Sequence, residues 1–310
     1  MWQHLSDAPV DKSFQVTVGP EKIAQGGGLQ PYLFRSRNGT LLLGCGMGGV
    51  TISSISRDGG KTWQRWLPPN APPAAWGHPT NPFNPNIQEV PGIPCACMGQ
   101  RVDGAILALH PAAHGPDPFG DFRCSLYVST DDMTSFAIKT VRIRHPHGRS
   151  GVDDGGQPCG GLSFCRSLLT MPDGTLLASG YGWCEGDITP CPYIPAATKG
   201  RAMLFRSDDG GDSWRHYSDI AADLTVGEEG FSENAVVRVS KGPRAGRLVA
   251  LMRTGSNNCP IYQAESEDEG RTWSKPHALP FGGVFPDLIE MADGTLACSF
   301  GWRIWGGGEM

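Results

Sequence analysis

The octet SRDGGKTW at residues 56–63 decides the fold, because the chain repeats it. Residues 207–214 read SDDGGDSW and residues 266–273 read SEDEGRTW, while residues 129–136 carry a degenerate copy, STDDMTSF. A short pattern that recurs along a chain marks a repeat architecture, in which each copy belongs to one supersecondary unit. We therefore expect the chain to consist of similar structural units, each containing one octet.

The aspartate at the third position of the octet is predicted to be structural. Its carboxylate can accept hydrogen bonds from backbone N–H groups of the turn, glycine supplies a positive φ, and tryptophan offers a large apolar face to bury between units. A catalytic acid is needed once, whereas this acid recurs in every unit. We therefore predict that Asp58, Asp209 and Asp268 form turns and take no part in chemistry.

A second repeat predicts β-hairpins. Short apolar runs follow four turn-forming dipeptides: Asn38-Gly39, Asp103-Gly104, Asp173-Gly174 and Asp293-Gly294. Such dipeptides favour a two-residue type I′ turn between antiparallel strands. A longer hairpin joins the strand-like segments 233–239 and 247–253. Each unit then contains four antiparallel strands, with the octet as the turn between the third and the fourth, which describes one blade of a β-propeller.

In these octets the chain resembles the sialidase superfamily, whose Asp-box reads SxDxGxTW. The resemblance implies an all-β fold, namely a six-bladed sialidase-like β-propeller of four-stranded antiparallel blades. The octets and hairpins account for about four and a half blades. We therefore predict that residues 1–310 form a single propeller domain that is incomplete at its C-terminal end, with residues 13–18 as a candidate strand for the last blade.

Composition narrows the classes of function. A net charge of −5 without a basic run gives no footprint for nucleic acid, which needs clustered Lys and Arg. No segment approaches the roughly 20 apolar residues that span a bilayer, and the N-terminal segment lacks the pattern of a secretory signal. The cysteines and histidines lack metal-ligand spacing. We expect a soluble protein, cytoplasmic by default, with neither metal nor cofactor; the sequence leaves its oligomeric state open.

The long connections of the predicted propeller indicate where a functional site would lie. In an antiparallel blade, the A-to-B and C-to-D turns share one face, which we call the turn-bearing face. The B-to-C and D-to-A connections share the opposite face, the loop-bearing face, and five of them are long: 67–93, 108–122, 143–163, 181–200 and 215–232. Binding and catalysis usually reside in long loops on a rigid scaffold.

Glu233 and Arg253 are the leading candidates on the loop-bearing face. Glu233 opens strand A of the fourth blade and Arg253 closes strand B, so antiparallel pairing places them side by side. The resemblance implies a glutamate that polarises a tyrosine nucleophile and an arginine that binds the substrate carboxylate. From the residues alone, a salt bridge that ties two strands together is an open alternative.

Three further residues complete the candidate site. Asp287 lies near the start of strand A in the fifth blade, and with Glu233 it would supply the two carboxyl groups that glycoside hydrolysis commonly needs. Arg303 follows strand B of that blade, and Asp154 lies on a connector that can fold over the centre. We therefore predict Glu233 and Asp287 as catalytic residues, and Arg253, Arg303 and Asp154 as substrate-binding residues.

The chain departs from the sialidase pattern at its first blade. The Phe-Arg-Ile-Pro motif of sialidases aligns its proline with Pro31 and its arginine with Leu29. We therefore expect a glycoside hydrolase that acts on a glycan and differs from a standard sialidase. A non-catalytic propeller that binds a glycan or another small anionic or hydroxylated ligand, or one that binds a protein, remains an alternative.

Overall fold

The fold consists of β-sheets that follow one another along the chain. The computed structural model describes residues 29–47, 50–66, 97–110, 112–113, 115–152, 158–159, 161–192, 197–256 and 258–301. Within these residues, the first and fourth sets of four antiparallel strands form separate sheets. The second and third sets are joined by parallel pairs into one ten-stranded sheet, and two further pairs of strands are present. They confirm the predicted all-β propeller with four-stranded blades. The predicted strand at 13–18 lies outside the described residues.

Each of the first two blades is a meander of four strands. The first contains β1 Leu29–Arg35, β2 Leu41–Met47, β3 Val50–Ser56 and β4 Gln64–Arg65. The second contains β5 Cys97–Gln100, β6 Ile106–Leu109, β8 Asp121–Ser129 and β9 Ala137–Arg144. The short strand β7 Ala112–Ala113 lies between β6 and β8 and pairs with the third blade.

The third and fourth blades repeat this arrangement. The third contains β13 Leu162–Thr170, β14 Leu176–Cys184, β15 Arg201–Ser207 and β16 Ser213–Ala221, preceded by short strands β10 Gly148–Arg149, β11 Gly151–Val152 and β12 Pro158–Cys159. The fourth contains β17 Asn234–Arg238, β18 Leu248–Met252, β19 Pro260–Ser266 and β20 His277–Gly282, with a 3₁₀ turn at Gly242–Arg244. The pair β21 Val284–Glu290 and β22 Leu296–Gly301 begins a fifth.

No helix among the described residues is long and apolar enough to cross a membrane.

The Asp-box turns form one repeated network of hydrogen bonds. The carboxylate Oδ1 of Asp58, Asp209 and Asp268 accepts the backbone N–H four residues later, in each case at 2.9 Å. The degenerate copy makes the same bond from the Ser135 N–H to Asp131 Oδ1, also at 2.9 Å. The turn-forming role of the repeated acid, as predicted, is therefore present in all four copies.

The degenerate Asp-box keeps the backbone of the others without their glycines. Gly210 and Gly211 have φ of 72° and 101° in the third blade, and Asp132 and Met133 adopt φ of 52° and 66° at the matching positions. Non-glycine residues adopt such angles at a steric cost. Met133 is fully buried in the core, so burial of its side chain offsets part of this cost.

The A-to-B turns differ from the predicted type. At residues 36–39 the Gly39 N–H donates to the Ser36 carbonyl, and φ is positive at Gly39 but not at Asn38. A type I′ turn requires positive φ at both positions, so these are type I turns followed by a glycine bulge. The matching dipeptides at 103–104, 173–174 and 293–294 share this pattern of φ. The type I′ prediction was wrong, because a dipeptide favours several hairpin turns and loop length selects among them.

The core lies between neighbouring blades. The aromatic residues that end the Asp-boxes of the second and third blades pack against the preceding blade: Phe136 joins a cluster with Leu42, and Trp214 joins one with Leu107. Trp273 packs on the core of the third and fourth blades and donates from Nε1 to Ser218 Oγ at 3.1 Å. The repeated aromatic residue therefore fastens one blade to the next, as its position in the octet predicts.

Candidate functional site

Glu233 and Arg253 meet at the loop-bearing end of the fourth blade. Asn234 pairs with Met252 across β17 and β18, and the next N–H, from Arg253, donates to the Glu233 carbonyl at 2.8 Å. The predicted pairing of the two residues is therefore confirmed. Their side chains form an ion pair, in which Arg253 Nη1 lies 2.9 Å from Glu233 Oε2.

A second glutamate also binds Arg253. Glu229 Oε1 lies 2.6 Å from Arg253 Nη2, and the Gly255 carbonyl accepts from Arg253 Nε at 2.8 Å. Arg253 is 5% exposed, so this guanidinium sits between two carboxylates in a largely buried position. Sequence reasoning missed Glu229, because it lies in an irregular connection whose path no periodic pattern specifies.

The carboxyl group of Glu233 is held from two sides. Its Oε2 accepts from Arg253 and from the backbone N–H of Phe285 at 2.9 Å, which links the fourth blade to the fifth. Burial raises the pKa of Glu233, although Arg253 opposes the shift. Desolvation of the charged form is the larger effect, because only 8% of the residue is exposed. Glu233 is thus a buried acid at a junction between blades.

Phe285 holds an unusual backbone conformation at that junction. Its φ is 53°, which a non-glycine residue adopts at a cost on the order of 1–3 kcal/mol. This conformation directs its N–H to Glu233, and its ring lies 4.4 Å from the guanidinium carbon of Arg166. The pairing register between β21 and β22 shifts between Val284 and Asp287, so the strand bulges here. Bulges that redirect side chains are common beside functional sites.

Asp287 follows two residues after Phe285 on the same strand. Both residues lie near Arg166 of β13, since the Phe285 ring stacks on its guanidinium group and its charge acts on Asp287. Burial raises the pKa of Asp287, and the positive charge of Arg166 opposes the shift. Its described hydrogen bond comes from the Leu288 N–H to Oδ1 at 2.9 Å. In contrast to Glu233, no arginine forms an ion pair with Asp287 within the described residues.

Arg166 joins three blades at this level of the propeller. It projects from β13 and donates from Nη1 to the carbonyl of Pro31 in the first blade at 2.7 Å. Its guanidinium carbon lies over the ring of Phe285 in the fifth blade. The same carbon lies 5.5 Å from the centroid of the Tyr32 ring in the first blade. Tyr32 in turn donates from its hydroxyl to the Arg166 carbonyl at 3.0 Å. No pattern in the sequence marks Arg166, since it lies in the middle of a largely apolar strand.

Tyr181 adds a neutral hydroxyl group near the carboxylates. It lies on β14, and its pKa is raised by burial and, to a smaller extent, by the negative charge of Glu233. The phenol is therefore protonated at neutral pH. The resemblance implies a tyrosine nucleophile from the last blade of a sialidase, whereas this tyrosine belongs to the third blade.

Two predicted binding residues cannot be placed. Arg303 and Asp154 both lie outside the described residues. Leu29 opens β1. No cluster of three or more His, Cys, Asp or Glu side chains suited to a metal ion occurs in the described part of the chain.

Comparison with known proteins supports the architecture. Residues 158–298 match the model of the BNR repeat-like domain. A segment of 102 residues, 31% of this chain, is 33% identical to a sialidase of Micromonospora viridifaciens and spans 16% of that protein. The chain thus matches only a small part of this curated relative.

Solved structures with the same fold include an arabinanase, a sialidase and a protein of unknown function. An α-L-arabinanase of Penicillium chrysogenum, complexed with arabinobiose, superposes with a TM-score of 0.56 at 16% identity, covering 89% of this chain and 75% of that one. The NanB sialidase of Streptococcus pneumoniae gives 0.54 at 15% identity, covering 94% and 59%. A protein of unknown function from Dyadobacter fermentans gives 0.57 at 20% identity, covering 89% and 75%. At these identities the likeness shows the fold.

Proposed function

Because the chain is a sialidase-like β-propeller with BNR repeats, we propose that it is a glycoside hydrolase whose site is the cluster of Glu233, Arg253 and Asp287 on the loop-bearing face. The observation that carries the proposal is the burial of two carboxyl groups on adjacent blades, both with a raised pKa. Clustered acids with perturbed pKa values are more common at active sites than elsewhere.

The two carboxyl groups suit different roles. The positive charge of Arg253 compensates the negative charge of Glu233 in their ion pair. Glu233 is therefore the group proposed to act as a carboxylate, either as the nucleophile or as the base that activates water. Asp287 has no such ion pair among the described residues and is half-buried, and the desolvation that raises its pKa favours its protonated form. It is therefore the proposed general acid, which donates its proton to the oxygen of the leaving group.

The binding roles follow from charge and position. Arg253 holds Glu233 and Glu229 in place, and it is proposed to contact the bound sugar. Arg303 and Asp154 are proposed to contribute from the same face. The arabinanase of similar fold is complexed with arabinobiose, which makes a pentose oligosaccharide one reasonable substrate to test.

A hydrolysis screen tests the proposal. The purified protein would be assayed against aryl glycosides of pentoses, hexoses, hexuronic acids and sialic acid. We expect turnover of at least one, with kcat lowered at least 1,000-fold in Glu233→Gln and Asp287→Asn. Asp293→Asn, in the exposed turn of the same blade, is the matched control and should retain activity. No turnover of any glycoside, or full activity in both site variants, would contradict the proposal.

A non-catalytic glycan-binding propeller is the second candidate. The observation that favours it is the buried ion pair between Glu233 and Arg253, since a pair of this kind can also serve only to join two strands. Under this alternative, sugars bind the wild-type protein without turnover. A protein-binding propeller would bind no sugar at all.

A further inference from the structure

The described charged groups at the candidate site do not sum to a net positive charge, which an acidic ligand would favour. Three carboxyl groups, from Glu229, Glu233 and Asp287, face two guanidinium groups, from Arg253 and Arg166. With every group ionised, the described cluster carries one net negative charge. With Asp287 protonated, as the proposed general acid must be, the sum is zero. Tyr181 adds no charge, because its raised pKa keeps it protonated.

Arg166 has a donor that is still unused. Its Nε is buried and has no hydrogen-bond partner among the described residues, while the residue is 6% exposed. A buried donor without a partner costs about 1–3 kcal/mol, so native structures rarely leave one without water or a ligand. Phe285 and Asp287, which neighbour Arg166 on the fifth blade, are half-buried.

We infer that this site takes a neutral, hydroxyl-rich sugar in preference to a carboxylate-bearing one, and that Arg166 Nε donates to one of its oxygen atoms. The inference rests on the proposed function for the location of the site, and it adds the class of sugar. A hydroxyl or ring oxygen accepts the Nε hydrogen bond without adding charge. A ligand carboxylate would approach Glu229 and Glu233, whose shared cation, Arg253, is already paired with both of them.

Matched sugars isolate the effect of charge. An aryl glucoside and the corresponding glucuronide differ by a hydroxymethyl group in place of a carboxylate, and an aryl galactoside and galacturonide form a second pair. Arabinobiose extends the neutral set, and a sialoside extends the acidic set. Binding would be measured by ligand-observed NMR and calorimetry, and hydrolysis would be measured separately on the same samples.

We expect the neutral member of at least one pair to bind at least tenfold more tightly than its acidic partner. Glu229→Gln removes one negative charge beside Arg253 and should reduce that preference severalfold. Glu265→Gln, which removes a carboxylate bonded to Arg244 and Arg247 on another part of the fourth blade, is the control and should leave it unchanged. Arg166→Met should weaken binding of the neutral sugar at least tenfold, and Arg166→Lys should restore little of it.

The outcomes separate this inference from the proposed function. Equal or tighter binding of the acidic sugars would overturn the inference even if hydrolysis occurs. Selective binding of neutral sugars without turnover would support the inference and contradict the hydrolase assignment. Absence of binding by every sugar in the panel would overturn both. Thermal unfolding of each variant shows that it is folded, and loss of preference in a folded Glu265→Gln protein would also overturn the inference.

Discussion

Two sets of carboxyl groups in this propeller, the Asp-box acids of the turn-bearing face and the predicted catalytic pair of the loop-bearing face, have opposite pKa shifts. On the turn-bearing face, hydrogen bonds from Thr62 lower the pKa of Asp58, and the Thr272 N–H and hydroxyl lower that of Asp268 to about 2. On the loop-bearing face, burial raises the pKa of Glu233 and Asp287. A carboxylate that its own turn stabilises has a structural role. Burial destabilises the charged form of Glu233 and Asp287, so their presence is not explained by a stabilising anion.

The largest expected contrast concerns the arginines of the two faces. Arg253→Ala leaves Glu229 and Glu233 buried without their cation, so we expect a loss of about 3–5 kcal/mol in the free energy of unfolding. Arg247→Ala removes ion pairs with Glu265 and Glu267 near the turn-bearing end, and because these are largely exposed we expect a loss below about 1 kcal/mol. Urea denaturation measures both; similar losses would remove the distinction between the faces.

The next contrast concerns a single Asp-box acid. Asp209→Ala removes the carboxylate that accepts from the Ser213 N–H and from the Ser207 and Ser213 hydroxyls. We expect a loss on the order of 1 kcal/mol, comparable to removal of a helix N-cap, with sugar binding and turnover unchanged. Urea denaturation and the hydrolysis assay test this together. Loss of activity in a folded, stable Asp209→Ala protein would show that this face takes part in function.

A smaller, stabilising effect is expected in the Asp-box of the fourth blade. Glu269 has φ of 61°, where the first and third blades have Gly59 and Gly210. Glu269→Gly should relieve the steric cost of that angle, which by itself would raise the free energy of unfolding by about 0.5–1 kcal/mol. The greater conformational entropy of glycine in the unfolded chain offsets part of this gain. Thermal and urea unfolding of the variant would show a decrease if the glutamate side chain contributes more than the strain costs.

The smallest effect is a difference in pH dependence between the faces. The pKa of Asp268 is lowered from 3.8 to about 2, so its stabilising contribution is present above pH 3.8 and lost as the pH falls toward 2. The pKa of Asp287 is raised above 3.8, so its contribution is present below that pH and lost as the pH rises through the raised pKa. Relative to wild type, Asp268→Asn should therefore gain stability on acidification, and Asp287→Asn should lose it.

Unfolding of the wild-type protein and both variants between about pH 2 and pH 7 measures these trends. Ser240→Ala would provide a control without a change of charge in the fourth blade. If the stability of Asp268→Asn and of Asp287→Asn changed with pH in parallel with that of the wild-type protein, the pKa shifts of the two carboxyl groups would be too small to distinguish the two faces.

The sequence by itself determined the repeated parts of the molecule. The octets specify the Asp-box turns because their hydrogen bonds join residues two to four positions apart, as in the bonds from Ser56 and Thr62 to Asp58. The pairing of Glu233 with Arg253 was also predictable, because one hairpin brings them together and strand register fixes their level. Local contacts of this kind depend on how far apart residues lie along the chain, and that separation can be read from the sequence.

Only the tertiary structure decided which residues surround that pair. Arg166 meets a carbonyl 135 residues away, and Phe285 donates to a glutamate 52 residues away, so no local pattern marks either of them. Glu229 reaches Arg253 through an irregular connection. The pKa shifts of Glu233 and Asp287 likewise depend on burial by other blades, because desolvation is a property of the packed molecule rather than of neighbouring residues in the chain.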